Sequence, residues 1–580
     1  MLYRFYVKNP AVHYLYIDID IDNITENELT LQLPSWRPGR YELGNFAKNI
    51  KKFDAFNEND ELLQWQKINK DTWKVICKGA KSVKITYSYY ASELNAGSTF
   101  VDYTQIYCNP VNCCMFIPER MNEIHRIKIM IPEYFKPEDF KIATSLKKIN
   151  KNTFDAANFD ELADSPFIVS NKLYSFTLPV DGVDYHLHFN GECKPNQELY
   201  KKDFIPFIKE CVNFFGGIHV NEFHFLFQIL PYRFYHGVEH IKSTVIAIGP
   251  GYAINDGSTY LDILGVSCHE LFHTWNIKTI RPVEMLPYDF TKENYARTGY
   301  VYEGITTYYG DKLLLSSGVF NITQYFETLE ERINKHFHNY GRFNLSLADS
   351  SFETWLDGYV PGAPYRKVSI YDEGNLIAFM LDVLILKATQ NKFSLRNVML
   401  KLYNDFYKKG IGYTEENIKH LIEEISGLNL TEFYKNYIYG LEEYEELLKE
   451  CCVYIGFELI KSSSVFAYEK YLGIKLADVN GSKKVSLIAP YSPAWKVNIS
   501  PQDEIISING IAVKNDINNW LNYFIENCSL LEITLQSATE VKKVTIENKF
   551  KREYFEYYHL RSSNELSENY SAWIIHGNQS

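Results

Sequence analysis

His269, Glu270, Leu271, Phe272 and His273 form an H-E-x-x-H string. On a helix, residues four apart lie on one face, so His269 and His273 can each aim a ring nitrogen at one metal ion. Glu270 stands one step round the same helix, where its carboxylate reaches a metal-polarised water rather than the metal itself. The chemistry this implies is amide hydrolysis: a carbonyl is polarised and a water is activated. The string is short enough to arise by chance, so its surroundings carry the reading.

A two-histidine zinc site needs a third protein ligand and one open position. Residues 299–310 read as a second helix rich in aromatics, and Glu303 is the acid near its start. A carboxylate among apolar residues is costly unless it is paired. Glu303 is therefore either the oxygen ligand or a partner for the positive end of its own helix, and the nearby histidine pair favours ligation.

H-E-x-x-H followed by a glutamate on a later helix is the gluzincin pattern. The fuller segments, His-Glu-Leu-Phe-His-Thr-Trp-Asn at 269–276 and Tyr-Glu-Gly-x-Thr-x-Tyr-Tyr at 302–309, resemble the glycyl aminopeptidase family, metallopeptidase family 61. The resemblance implies an amino-terminal β domain, a gluzincin catalytic domain and a PDZ domain. It also implies one zinc ion per chain, held by His269, His273 and Glu303, with Glu270 as general base.

Two further roles follow from the resemblance. Tyr235 to Thr244 contains Gly237-Val238-Glu239-His240 and is similar to the family's Gly-Gly-Leu-Glu-His segment, whose glutamate binds the substrate's free α-amine. Glu239, with Gly237 and His240, is thus the implied substrate-binding group, and His236 stands where the family commonly has glycine. A fixed carboxylate in a closed pocket does favour an ammonium over a neutral peptide nitrogen. The alternative is an ordinary edge-strand ion pair between Glu239 and Lys242. Ser369 to Leu376 resembles the family's Tyr-x-Lys-Gly segment, with Glu373 in place of lysine. That makes Tyr371 the implied donor to the tetrahedral oxyanion, where a hydrogen bond stabilises charge present only in the transition state.

The elements that must position these groups are legible as periodicities. Residues 1–190 alternate apolar and polar in short runs, such as Tyr14 to Ile21 and Val83 to Tyr90, which predicts an antiparallel β domain. Within it, Leu33 to Tyr41 matches the family's Leu-Pro-x-Trp-x-Pro-Gly-x-Tyr. It reads as a rigid structural turn, with a place at the substrate cleft as the alternative. Residues 191–454 open on a strand section, including the apolar run Phe223 to Leu230, and then turn to helical spacing as a mostly helical catalytic domain. Residues 455–552 resemble a PDZ domain, through Tyr471-Leu472-Gly473-Ile474, Ser492-Pro493-Ala494 and Asp503 to Gly510. Asn498 and Gln502 replace usual glycines there, and asparagine tolerates positive φ best among the other residues. Residues 553–580 read as a tail without assigned purpose. The fold class expected is multidomain α+β.

The 580 residues are too many for one core. Hydrophobic content of 46% and charged content of 23% are ordinary for globular proteins. A net charge of −12, without a basic cluster, argues against a nucleic-acid partner. Ten dispersed cysteines suggest reduced thiols, and no signal peptide or membrane span is visible, so the expected location is cytoplasmic. The reading favoured is a zinc aminopeptidase acting on peptides with free N-termini, preferring glycine or alanine if the family habit holds. A gluzincin endopeptidase and a catalytically idle PDZ scaffold binding peptide C-termini remain alternatives, and an oligomer is possible.

Overall fold

The computed structural model describes residues 1–131, 139–562 and 567–576. Strand Tyr14–Asp22 buries every second side chain, as its sequence alternation requires. It lies in a seven-stranded sheet between Leu2–Tyr6 and Ser82–Tyr90, and smaller sheets of three and four strands complete the amino-terminal unit.

That unit ends earlier than the boundary expected at 190. Strands Tyr174–Val180 and Val183–Asn190 belong to a five-stranded sheet with Glu222–Ile229, Ser243–Gly249 and Phe234–Glu239. Alternation reports a half-buried strand but not which sheet it joins, so the boundary was invisible in the pattern. Helices Gln197–Phe215 and Gly257–Phe272 share one apolar core with this sheet, through Phe189, Phe225, Phe227 and Ile248. Leu226, Val245 and Ala247 instead cluster with Tyr107 and Ile168 of the amino-terminal unit. Gln105 Oε1 accepts from both Asn190 and Gln228 across this junction, at 2.8 and 3.0 Å.

Helix Asp372–Ala388 runs through this core, and its Asp382 is fully buried. Lys312 Nζ (2.7 Å) and Tyr308 Oη (2.6 Å) donate to Asp382 Oδ2, which is why an acid survives in an apolar helix. The expected tail returns to the same core. Strand Tyr557–Ser562 pairs with Phe457–Ser462, and Trp573 of helix Glu568–Ile574 donates from its indole to Tyr308 Oη at 2.8 Å. Residues 457–462 thus belong with the helical unit rather than with the module that begins after them. The remainder of the 553–580 segment, 563–566 and 577–580, lies outside the described residues.

Between those paired strands sits a separate sheet around Ile474–Val479, Ser482–Ile488, Glu504–Ile508, Leu530–Gln536 and Val541–Glu547. Helix Ile517–Asn527 closes its core with Leu521 and Phe524. Asn498 (φ 60°) and Gln502 (φ 73°) both adopt the left-handed backbone that glycine ordinarily supplies. The Tyr365 hydroxyl accepts from Ile488 N at 2.8 Å, so this module grips a loop of the helical unit. All ten cysteines are unbridged, and Cys268 packs with its sulfur 3.7 Å from that of Cys211. Among the described residues, no helix is long and apolar enough to cross a membrane.

Candidate active site

Helix Gly257–Phe272 packs against the five-stranded sheet and delivers His269 and Glu270 in its last turn, with His273 immediately after it. His273 Nδ1 donates to the Asn276 carbonyl at 2.6 Å, which orients the ring with Nε2 facing the site. That Nε2 lies 3.0 Å from Nε2 of His269. Asn276 also donates to Val301 O (2.9 Å) and Thr306 Oγ1 (3.1 Å), tying the end of this helix to the segment that carries Glu303.

Glu303 sits in the π-helical turn Tyr300–Gly304, which leads into helix Ile305–Ser316. Single π turns inside helices recur at functional sites, because the inserted residue changes where a side chain points. Its Oε2 is 3.4 Å from His273 Nε2 and 3.9 Å from His269 Nε2. Its Oε1 accepts from the Tyr41 hydroxyl at 2.8 Å. Glycines permit the close approach: a Cβ on Gly304 would lie 2.4 Å from Gly374 Cα, and one on Gly310 would lie 3.2 Å from His269 Cα.

The electrostatics are those of a site short of positive charge. Glu239, Glu270, His273 and Glu303 are all buried. Oε2 of Glu303, Oε2 of Glu270 and Oε1 of Glu239 have no hydrogen-bond partner, an arrangement that is costly unless a cation enters. Burial, with the charges of Glu239 and Glu303, pushes the Glu270 carboxyl well above its usual range, against the pull of His273. Burial likewise raises Glu303, opposed by His273 and by the Tyr41 hydrogen bond. Two facing imidazole nitrogens and an unpartnered carboxylate oxygen make a two-nitrogen, one-oxygen donor set, and zinc fits it.

Glu239 ends strand Phe234–Glu239, and its ligand oxygen falls within 4.8 Å of those of Glu270 and His273. The expected alternative pairing with Lys242 does not form, because Lys242 Nζ bonds Glu161 at 2.5 Å. Gly237 acts through its missing side chain, since a Cβ there would lie 2.1 Å from Glu270 Oε1. His240 is turned elsewhere. Its Nδ1 is 3.2 Å from Asp164 Oδ1, which also accepts from Lys278 at 2.6 Å. His236 lies close enough to Arg37 and Arg40 that, after burial, their charges help hold its ring down to about 3.

Tyr371 caps the start of helix Asp372–Ala388, with its hydroxyl 3.4 Å from that of Tyr359. Burial first, then the nearby charge of Glu303, keeps the phenol well above its ordinary pKa, so it remains a donor. Glu373, in the place of the family's lysine, points away into a buried pair with His336 Nδ1 at 2.7 Å.

Sequence reasoning missed the groups that the amino-terminal turn contributes. Leu33 to Tyr41 is not only a structural turn. Trp36 Nε1 anchors it to Asp289 O at 2.6 Å, Tyr41 reaches Glu303, and a Cβ on Gly39 (φ 82°) would lie 2.3 Å from Glu239 Oε2. Arg37 is buried beside Glu239, and burial lowers its guanidinium pKa while Glu239 raises it. Tyr359, which accepts from Tyr41 N at 3.1 Å, had no signal among 45 tyrosines. The signal for the turn was its own pattern, which ends on Tyr41.

The peptidase M61 N-terminal domain matches residues 2–171, and the M61 glycyl aminopeptidase model matches residues 262–377. An aminopeptidase N family protein from Idiomarina loihiensis is similar in structure along the whole chain, with a TM-score of 0.90, 23% identity and 99% of each chain covered. An M1 zinc metallopeptidase from Deinococcus radiodurans, solved with a Tyr-Ser-Ala substrate, aligns with a TM-score of 0.47 and 13% identity, over 76% of this chain and 94% of its own. No curated protein matches the chain.

Proposed function

The chain belongs to the M61 glycyl aminopeptidase family, and from that premise we propose that this zinc metallopeptidase removes single residues from free peptide N-termini. The observation that carries the reading is Glu239: it is 3% exposed, its Oε1 has no partner, and it adjoins Glu270 and His273. A buried carboxylate with an unpartnered oxygen beside the proposed hydrolytic centre suits an α-ammonium and has no comparable role in an endopeptidase.

His269, His273 and Glu303 would hold one zinc ion per chain, which supplies Lewis-acid polarisation of the scissile carbonyl and acidifies an attacking water. Glu270 takes the proton of that water on its carboxylate and later delivers it to the leaving amine. Glu239 holds the α-ammonium, so that the first peptide bond is the one presented. The Tyr371 hydroxyl, kept protonated by burial, donates to the oxyanion. Tyr41 orients Glu303 through its second oxygen. A preference for glycine or alanine rests on the family habit.

The module between the paired strands is PDZ-like by its glycine loop and closing helix Ile517–Asn527, and a peptide C-terminus is one ligand such a groove takes. Its grip on Tyr365, six residues before Tyr371, equally supports a role as a brace for the catalytic loop.

The test uses matched peptides with free and acetylated N-termini, incubated with the zinc-loaded protein and with its Glu270→Gln variant. Stepwise loss of single residues from the free peptide alone, absent in the variant, is the expected result. Cleavage of the acetylated peptide would transfer the activity to the endopeptidase class. Zinc bound without cleavage of either peptide would favour the scaffold.

A further inference from the structure

A second group of side chains of metal-ligating type lies on the five-stranded sheet, away from the proposed hydrolytic centre. Strands Val183–Asn190 and Glu222–Ile229 run parallel in register, with His186 opposite His224 and His188 opposite Leu226. Residues two apart on a strand share a face, so His186, His188, Glu222 and His224 all stand on the same side of the sheet. One ring nitrogen each of His186 and His224 and a carboxylate oxygen of Glu222 lie within 4.8 Å of one another. Glu222 is 3.6 Å from His186 Nε2 through one oxygen and 3.8 Å from His224 Nε2 through the other.

The outer hydrogen bonds orient these rings as a metal site requires. Thr177 Oγ1 engages Nδ1 of His186 at 2.9 Å, and Ser175 Oγ engages Nδ1 of His188 at 2.8 Å. His188 Nε2 in turn meets Nδ1 of His224 at 3.1 Å. This chain from Ser175 through His188 engages His224 at Nδ1 and turns its Nε2 toward Glu222. Metal-bound histidines are held in this way through their second nitrogen. His224 is 7% exposed, and its Nε2 has no partner. An unpartnered nitrogen on an imidazole nine-tenths buried, facing a carboxylate and a second imidazole, is the unexplained polar atom here.

We propose that His186, His224 and Glu222 form a second divalent transition-metal site, of the zinc class, with His188 as the positioning residue that orients His224. Two imidazoles and a carboxylate suit zinc, nickel or copper(II) and discriminate against magnesium and calcium, which take oxygen ligands. Bound metal would clamp the start of strand Glu222–Ile229 to its neighbour. The same sheet carries Glu239 on strand Phe234–Glu239 at its far edge. None of the four residues belongs to the hydrolytic site, so its metal can be lost independently.

The test is zinc stoichiometry on the full chain, by competition with a chromophoric chelator and by elemental analysis after dialysis. The native protein should hold two zinc ions per chain. His224→Gln and His186→Asn should each hold one and keep peptidase activity, and His188→Ala should weaken the second site about 10- to 100-fold. Glu303→Gln is the converse control, losing the hydrolytic zinc while the sheet site remains. Should His224→Gln prove unstable, His186→Asn on the more exposed position gives the same count. A single zinc in the native chain, or a second zinc indifferent to both substitutions, overturns the proposal.

Discussion

Gly237 and Glu270 are so close that a Cβ on the glycine would lie 2.1 Å from Glu270 Oε1. The glycine therefore defines the space in which the proposed base works. Gly237→Ala should push the Glu270 carboxylate aside by about an ångström while leaving His269, His273 and Glu303 in place. The expected result is a loss of kcat of about 100-fold with zinc content unchanged, since small misplacements of a reacting group cost on that order. Steady-state kinetics alongside zinc analysis checks it, and retention of full kcat would count against Glu270 as base.

Tyr41 comes from the amino-terminal unit, yet its hydroxyl orients Glu303. Tyr41→Phe should lower zinc affinity by about 10- to 100-fold, the usual cost of removing an outer partner of a metal ligand. Activity should return when zinc is supplied in excess. Chelator competition measures the first effect, and failure of excess zinc to restore turnover would assign Tyr41 a different role.

Tyr371→Phe tests the oxyanion donor. Removing one such donor costs about 100- to 1,000-fold in kcat and leaves binding of the ground state largely untouched. The signature is therefore a fall in kcat at near-constant KM. A change confined to KM would place the hydroxyl on the substrate rather than on the developing charge.

Asp164 links the two units: it accepts from Lys278 and from Ile241 N, and it faces His240. Burial alone would raise its carboxyl, but Lys278 and His240 outweigh burial and hold it well below the usual range. A depressed carboxyl contributes stability above its unfolded pKa, about 3.9, and that contribution is lost as pH falls through the folded value. Asp164→Asn should therefore cost about 3–5 kcal/mol at neutral pH, because it leaves Lys278 buried and unpaired. Urea midpoints at successive pH values should show a constant gap to the native protein above pH ~5, narrowing below pH ~4. A gap that widens toward acid would contradict this assignment.

The hydrolytic chemistry was legible because it is encoded locally. Four-residue spacing on one helix makes His269 and His273 neighbours whatever the rest of the chain does, and Glu303 is the acid at the start of the next aromatic helix. The left-handed backbone at Asn498 and Gln502 was legible for the same reason, since turn geometry depends on a few adjacent residues. Only the tertiary structure decided which distant segments meet. It set strands 174–190 in the sheet beneath the helices, returned Trp573 to Tyr308 across the module, and carried Tyr41 to Glu303 over 262 residues. It also faced His186 and His224 across two parallel strands, a register that neither strand's own alternation contains. Periodicity says which face of an element is buried. Which partner covers it is chosen by packing among all the elements at once, and no local pattern records that choice.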